Sequence, residues 1–270
     1  MTVWQIISLA FSCIWILFTL LPLIKRPWWW IRVLDYPRIQ ILILGLVTGL
    51  GFLLAFHPIQ GWQIWFFLGL LGVLSIQFFQ IFPFLIFHKK QTKSVKGFDE
   101  QRVLHLMVSN VRMKNRAFLK VLKEVDVVQP DILLLVETDH WWEDHLRSLE
   151  DKYPYHMKHP LENTYGMLLY SKLELVEGRK NFYLKDDIPS FITGIKLPSG
   201  HAVRLYCVHP EPPKLFQDTD KRDAEILKAG KEIVERGEPA VIVGDLNDVG
   251  WSHTTRLFRR VTKMLDPRVG

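Results

Sequence analysis

Two long stretches without a charged side chain dominate the first third of this chain. Residues 2–24 contain no Asp, Glu, Lys or Arg, and after a short charged interruption none occurs again from Ile39 to Phe87. About 20 apolar residues in helical form cross a hydrocarbon core of roughly 30 Å, so the first stretch predicts one membrane span. The second is too long for one helix. His57-Pro58-Ile59-Gln60-Gly61 puts polar and helix-breaking residues near its middle, which predicts a hairpin of spans over Ile39 to Phe56 and Ile64 to Phe87. Trp28, Trp29, Trp30, Trp62 and Trp65 fall at the expected ends, where an amphipathic ring prefers the headgroup region. A cleaved signal peptide fits poorly, because no basic segment precedes the first apolar run and no small-residue cleavage site follows it.

Charge divides the chain at the same place. Up to Lys96 there are eight Lys and Arg (Lys25, Arg26, Arg32, Arg38, Lys89, Lys90, Lys93, Lys96) against one acid, Asp35, a balance of +7. The remainder holds 26 Lys and Arg against 27 Asp and Glu, or −1. The positive charges therefore flank apolar runs instead of forming a face that follows a phosphate backbone, and nucleic acid is not a partner the charge favours. The loop between the first two spans and the segment after the third carry the basic residues, so the positive-inside bias expects a multi-pass protein of the cell membrane with its C-terminal part in the cytoplasm. Cys13 and Cys207 offer neither a disulfide framework nor zinc spacing. The expected organisation is a three-helix transmembrane region over 1–90, a lysine-rich linker over 91–100 and a folded domain over 101–270.

Within that domain the apolar runs shorten to strand length and alternate with helical periodicity. Strands are expected at Val103 to Val108, Ile132 to Val136, Gly166 to Tyr170, Phe191 to Leu197, Ala202 to Val208 and Ala240 to Val243. Phe118, Val121, Leu122 and Val125 have the spacing of an amphipathic helix that stops before Pro130, and Ile226, Leu227, Gly230, Ile233 and Val234 mark a second that closes near Gly237. Interleaved strands and helices imply an α/β fold. The Leu197-Pro198-Ser199-Gly200 turn predicts a hairpin, hence a mixed sheet.

The unusual polar residues of this domain collect after those strands: Asn110, Glu137, His209, and Asp245 with Asn247. Strand ends in α/β sheets commonly form the ligand crevice. A carboxylate leaving a run as apolar as Ile-Leu-Leu-Leu-Val needs a cation or donors beside it. Magnesium is a hard ion that uses one or two protein carboxylates and keeps several waters. Glu137 is then the best metal ligand, with Asn110 beside it as an amide-oxygen ligand or a donor to phosphate. Asp245 is suited to orient or deprotonate a water, Asn247 to hydrogen-bond developing negative charge, and His209 to donate to a phosphoryl oxygen. Taken singly, Asp and Asn after a strand are also ordinary turn formers. Tyr165, Arg222 and Asp223 are further candidates for the cleft, although core packing and helix-surface charge explain them as well. His140, Glu143 and His145 do not share a helix face in the manner of an i, i+4 zinc pair.

In order along the chain, Val-Ser-Asn110-Val, Pro-Asp131-Ile-Leu-Leu-Leu-Val-Glu137, Tyr165-Gly166-Met-Leu-Leu-Tyr-Ser, Val-His209-Pro-Glu-Pro-Pro and Gly-Asp245-Leu-Asn247 preceding Trp251-Ser252 resemble the endonuclease/exonuclease/phosphatase superfamily. The resemblance implies a two-sheet mixed α/β sandwich, here behind three transmembrane helices, that hydrolyses phosphate esters with Mg2+, or alternatively Mn2+. It implies metal binding by Glu137 with Asn110, contact of His209 with the scissile phosphate, and positioning of water and transition state by Asp245 and Asn247. The chain departs from the family in two ways. Arg112 stands where some family nucleases have an Asp, and no histidine follows His253, so the family's last strands and terminal Asp-His pair are expected to be missing from a C-terminally truncated domain. On that ground residues 97–270 alone are expected to turn over little phosphate ester. The expected function is a membrane-anchored phosphoesterase acting on a phosphodiester or phosphomonoester, in particular a lipid-linked one, with the bilayer and that ester as partners. The alternatives are a nuclease acting on DNA or RNA, and an inactive membrane-bound binding protein.

Overall fold

The computed structural model describes residues 1–270. In chain order the helices α1 (Val3–Leu20), α2 (Trp29–Arg32), α3 (Arg38–Ala55) and α4 (Trp62–Ile81) come first. They are followed by β1 (Leu106–Asn110), α5 (Phe118–Val128), β2 (Ile132–Val136), α6 (His140–His145), β3 (Tyr155–His159), β4 (Met167–Ser171), β5 (Leu175–Asn181), β6 (Ser190–Lys196), β7 (Ala202–Cys207), α7 (Asp220–Arg236), β8 (Ala240–Val243) and α8 (His253–Thr262). The chain divides into two compact units, one of residues 1–93, 213–220 and 248–270, the other of 94–212 and 221–247.

In the first unit three helices are long and apolar enough to cross a membrane: Val3–Leu23 and Trp62–Phe84, each including a terminal 3-10 turn, and Arg38–Ala55. The first is started by a reciprocal cap. Thr2 Oγ1 accepts from the Gln5 amide at 3.3 Å, and Gln5 Oε1 accepts from the Thr2 amide at 2.9 Å. Their outward faces expose large apolar side chains such as Trp4, Val47, Leu54, Trp65 and Phe79, as a helix surrounded by lipid would.

A polar network fixes one end of this bundle. Asp35, the only acid of the first third, accepts from Arg32 at 3.0 Å and from Arg38 at 2.6 Å, all three being buried. Arg38 reaches on to Gln77 Oε1 on α4 at 2.8 Å, and Gln77 returns a bond to the Arg38 carbonyl at 3.0 Å. From the C-terminal segment, the Trp251 indole N–H donates to the Asp35 carbonyl at 2.6 Å, and Gln91 accepts from Arg259 at 2.8 Å.

The second unit holds two four-stranded sheets, ordered β1-β2-β4-β3 and β5-β6-β7-β8. Each is mixed. The β1/β2 and β7/β8 pairs are parallel, whereas β2/β4, β3/β4, β5/β6 and β6/β7 are antiparallel, with β6 and β7 forming the hairpin expected from the Pro-Ser-Gly turn. Alternate residues of the central strands face opposite layers. Ile132, Leu134, Val136, Met167 and Leu169 meet Phe191, Ile195, Leu205 and Cys207 between the sheets. Leu133, Leu135, Leu168 and Tyr170 turn the other way, onto Val125, Trp142, Leu146 and Leu149 of the covering helices. Burial on both faces explains the unbroken apolar runs.

The first strand begins at Leu106 rather than Val103, because its partner β2 begins at Ile132 and the residue before it, His105, donates its amide to the Asp131 carboxylate at 2.8 Å. Two strands give no apolar signal in the sequence, β3 and β5. Both are edge strands with one open side, where charged residues such as Lys158, Arg179 and Lys180 are tolerated and discourage further pairing.

The Arg32–Asp35–Arg38 triad leads to an expected outcome. Asp35→Asn removes the charge that two buried guanidinium groups share, and should lower stability by about 3 kcal/mol or more. Thermal unfolding of the full chain in detergent checks this, with exposed Lys25→Gln as a control expected to be near neutral.

Candidate active site

Parallel pairing places the chemistry. Because β1 runs parallel to β2, Asn110 at the end of one and Glu137 just after the other leave the first sheet at the same edge. Likewise β7 and β8 deliver His209 and Asp245 from the second sheet. The two edges meet through one side chain. Asn110 Nδ2 donates to Glu137 Oε1 at 2.7 Å and to Asp245 Oδ2 at 3.0 Å. The other Asp245 oxygen accepts from the Asn247 amide at 3.1 Å, and Asn247 Nδ2 donates to the Pro210 carbonyl at 2.9 Å, next to His209. All five residues singled out from the sequence thus belong to one hydrogen-bonded or neighbouring group.

The backbone beneath them is held in uncommon conformations. Glu137 has φ +61° and Asn247 φ +52°, a left-handed region that non-glycine residues seldom adopt and that recurs where surrounding structure over-determines a site. Two glycines permit the necessary close approaches. A Cβ on Gly166 would lie 1.8 Å from the Thr138 carbonyl oxygen, and one on Gly244, at φ +132°, 1.9 Å from the Val208 carbonyl oxygen. Thr138 follows Glu137 and Val208 precedes His209, so each glycine makes room for the backbone that presents a site residue. Thr138 is fixed from both sides, donating to Gly166 O and accepting from Leu161 N, each at 3.1 Å.

His209 is almost fully buried, and its Nδ1 has no protein partner. Burial lowers the pKa of its imidazole, against the opposing pull of Asp245 and Glu137, so the ring is neutral near pH 7 and available as a hydrogen-bonding group. Its ring lies 5.8 Å from that of Tyr165. Burial, aided by Glu211, pushes the Tyr165 phenol up to about 12, and it keeps its proton. Arg222 of α7 is buried and donates to the Asn247 carbonyl at 3.1 Å and to Asp223 at 2.7 Å. Its place is therefore under the Asp245-Leu-Asn247 loop.

For a cation the site offers hard oxygen donors. No group of three or more His, Cys, Asp and Glu side chains has metal-binding spacing, and the two carboxylates joined through Asn110 match the one or two that magnesium uses while retaining water. The Asn110 amide nitrogen faces both carboxylates, while its oxygen accepts from the Arg112 amide at 3.0 Å.

Three residues beside this group were not anticipated. Lys185 donates to Glu211 Oε1 at 2.7 Å, while Glu211 Oε2 and Glu225 Oε1 are buried without a partner. Burial, then the Glu211 charge, raises Glu225 to about 7 against the pull of Lys185. The available sequence signal was Glu225 itself, an acid adjoining the apolar face of α7 at Ile226 and Ala229.

The sequence profile of the Endonuclease/Exonuclease/phosphatase family matches residues 107–268, more than half of the chain. The chain belongs to this family. Solved structures similar to it include a humanized TDP2 of D. rerio, at 17% identity and a TM-score of 0.46, over 54% of this chain and 63% of that one. Others are the human Nocturnin catalytic domain with bound sulfate (17%, 0.48, 58% and 69%) and the beta toxin of Staphylococcus aureus (16%, 0.47, 61% and 73%). The match thus spans less than two thirds of the TDP2 chain. A search of curated proteins found no match.

Glu225 gives the domain a pH dependence. Its folded pKa of about 7 lies above the usual carboxylate value, so the folded state binds the proton more tightly than the unfolded chain does. That contribution is fully present below about pH 4.5 and is lost as pH rises to about 7, by roughly 3 kcal/mol at most. Relative to Glu225→Gln, the parent chain should lose stability as pH rises from 5 to 8; denaturation midpoints of both proteins over that range check this, since the opposite trend from neutral, buried His209 is common to the two.

Proposed function

We propose that the chain is a membrane-anchored, metal-dependent phosphoesterase whose substrate is a phosphodiester or phosphomonoester at the bilayer surface, a lipid-linked phosphate above all. The observation that carries this reading is the double hydrogen bond of Asn110, which gathers Glu137 and Asp245 from two sheets beside a buried neutral His209. Membership of a family that unites nucleases and phosphatases supports phosphate-ester hydrolysis.

In this reading Glu137 would hold Mg2+, or Mn2+, with Asn110 orienting the carboxylate. When bound, the ion would neutralise phosphoryl charge as a Lewis acid. Asp245 aligns a water and accepts its proton, with the Asn247 amide holding the carboxylate in place. The Asn247 side chain and His209 donate toward the phosphoryl oxygens as negative charge develops. Arg222 supports the Asn247 carbonyl from below. Residues 101–270 form the catalytic domain, 91–100 the connector and 1–90 the anchor.

The three apolar helices support a multi-pass anchor. Lys25, Arg26 and Arg32 after the first helix, and Lys89, Lys90 and Lys93 after the third, support a cytoplasmic catalytic domain. A reporter fused after Lys96 is expected to be active when it needs the cytoplasm and silent when it needs export; the opposite pattern reverses the orientation.

The activity test is hydrolysis of bis-p-nitrophenyl phosphate, phospholipids and DNA by the full-length protein with Mg2+. Turnover is expected to be slow, as for residues 97–270 alone, and Glu137→Ala and His209→Ala should each lower kcat further, by roughly 100-fold or more, with the larger rate on phospholipid than on DNA. Full activity in Glu137→Ala would sink the metal assignment, and a preference for DNA would move the reading to a nuclease.

A further inference from the structure

We propose that a cavity of about 420 Å³ bounded by Gln91, Arg256, Arg259, Arg260, Lys263 and Met264 binds the phosphate of an anionic phospholipid headgroup. It shares no residue with the hydrolytic group, and it rests on the membrane reading of the three apolar helices. Its wall carries four cations and no acid. None of the four has a carboxylate within ion-pair distance, whereas the nearby acids are engaged elsewhere: Asp266 by Arg268 at 2.9 Å, and Asp248 by Ser252 and Thr255. Uncompensated guanidinium groups brought together in this way favour an anion, and a planar fork suits phosphate oxygens.

The cavity is built, not merely charged. Gln91 Oε1 accepts from Arg259 at 2.8 Å and from the Asp266 backbone amide at 3.0 Å, and the Gln91 backbone N–H donates to the Val269 carbonyl at 3.1 Å. Arg259 Nε is buried without a partner. Arg256 is tied at Nε to the Ser252 carbonyl at 3.2 Å. Burial lowers the hold of its guanidinium on a proton, and so do the fields of Arg38, Arg260 and Arg32, against Asp35. An anion arriving here would relieve that crowding.

The choice of a lipid over another anion comes from position and from apolar neighbours. Gln91 follows the third apolar helix by seven residues after Phe84. Trp251, at the other end of the segment, donates to the Asp35 carbonyl in the connection between the first two long apolar helices, α1 and α3. Both anchors thus lie at the end of the helical bundle where the basic flanks gather. On α8 and just after it, Val261 and Leu265 are exposed. A helix that offers cations beside exposed aliphatic side chains suits the boundary between headgroups and acyl chains.

The test is equilibrium binding and thermal unfolding of the full chain in neutral detergent, with short-chain phosphatidylglycerol, phosphatidylcholine and inorganic phosphate as separate probes. Phosphatidylglycerol should raise the unfolding midpoint in a saturable way and phosphatidylcholine should not. Arg260→Gln with Lys263→Gln, both exposed and hence safe for folding, should weaken phosphatidylglycerol roughly tenfold or more. Lys93→Gln with Lys96→Gln removes equal charge outside the cavity and should leave affinity within about twofold. Equal weakening by both pairs would overturn the site in favour of general charge attraction, and stabilisation by inorganic phosphate equal to that by lipid would overturn the lipid as its source. Recovery of the chain from washed membranes reports on the apolar helices separately: a chain found in the soluble fraction fails the membrane reading, whereas a membrane-bound chain that ignores phosphatidylglycerol fails the cavity alone.

Discussion

The Asn110 side chain is the point on which the second unit turns. A sandwich of two sheets has no intrinsic reason to align the ends of strands that belong to different sheets, because apolar packing between them is non-directional. A hydrogen bond is directional, and one amide nitrogen shared by Glu137 and Asp245 sets their spacing to within a few tenths of an ångström. The same bond offsets part of the repulsion between two carboxylates. Left-handed backbone at Glu137 and Asn247 and the close carbonyl approaches at Gly166 and Gly244 follow from the need to hold that arrangement still.

Much of this was readable from the residues. The central strands β2 and β4 are apolar on both faces and announce themselves as nearly uninterrupted runs, and a polar residue that ends such a run, as Glu137 does after β2, is conspicuous by contrast. The edge strands β3 and β5 carry no such signature, since an edge is stabilised by pairing on one side and protected by charge on the other. The site residues could be named because they terminate apolar runs. Their mutual contacts could not, because the alignment of one sheet's edge with the other's depends on the packing of the whole sandwich. Glu211 and Lys185 illustrate the remainder: each lies in an irregular loop where no periodicity operates, and only the fold joins them.

A second organising interaction works in the first unit by different physics. Asp35 serves two arginines, and through Arg38 the network extends to Gln77 on the neighbouring helix. Contact between helices whose faces are this apolar is non-directional, so polar links of this kind contribute specificity that the apolar faces cannot. The indole of Trp251 completes the group by taking the Asp35 carbonyl, which explains why the last residues of the chain cluster with the first.

The Glu225 carboxyl has a consequence for the energetics of folding. A buried acid that is half protonated near neutrality accepts a proton on folding. At pH 7 this carboxyl takes up part of a proton as the chain folds and returns it on unfolding, an exchange that Glu225→Gln removes. Heat absorbed in a calorimeter therefore includes the ionisation heat of whatever buffer exchanges that proton, and two buffers of equal pH but different ionisation enthalpy will report different unfolding enthalpies for the same molecule.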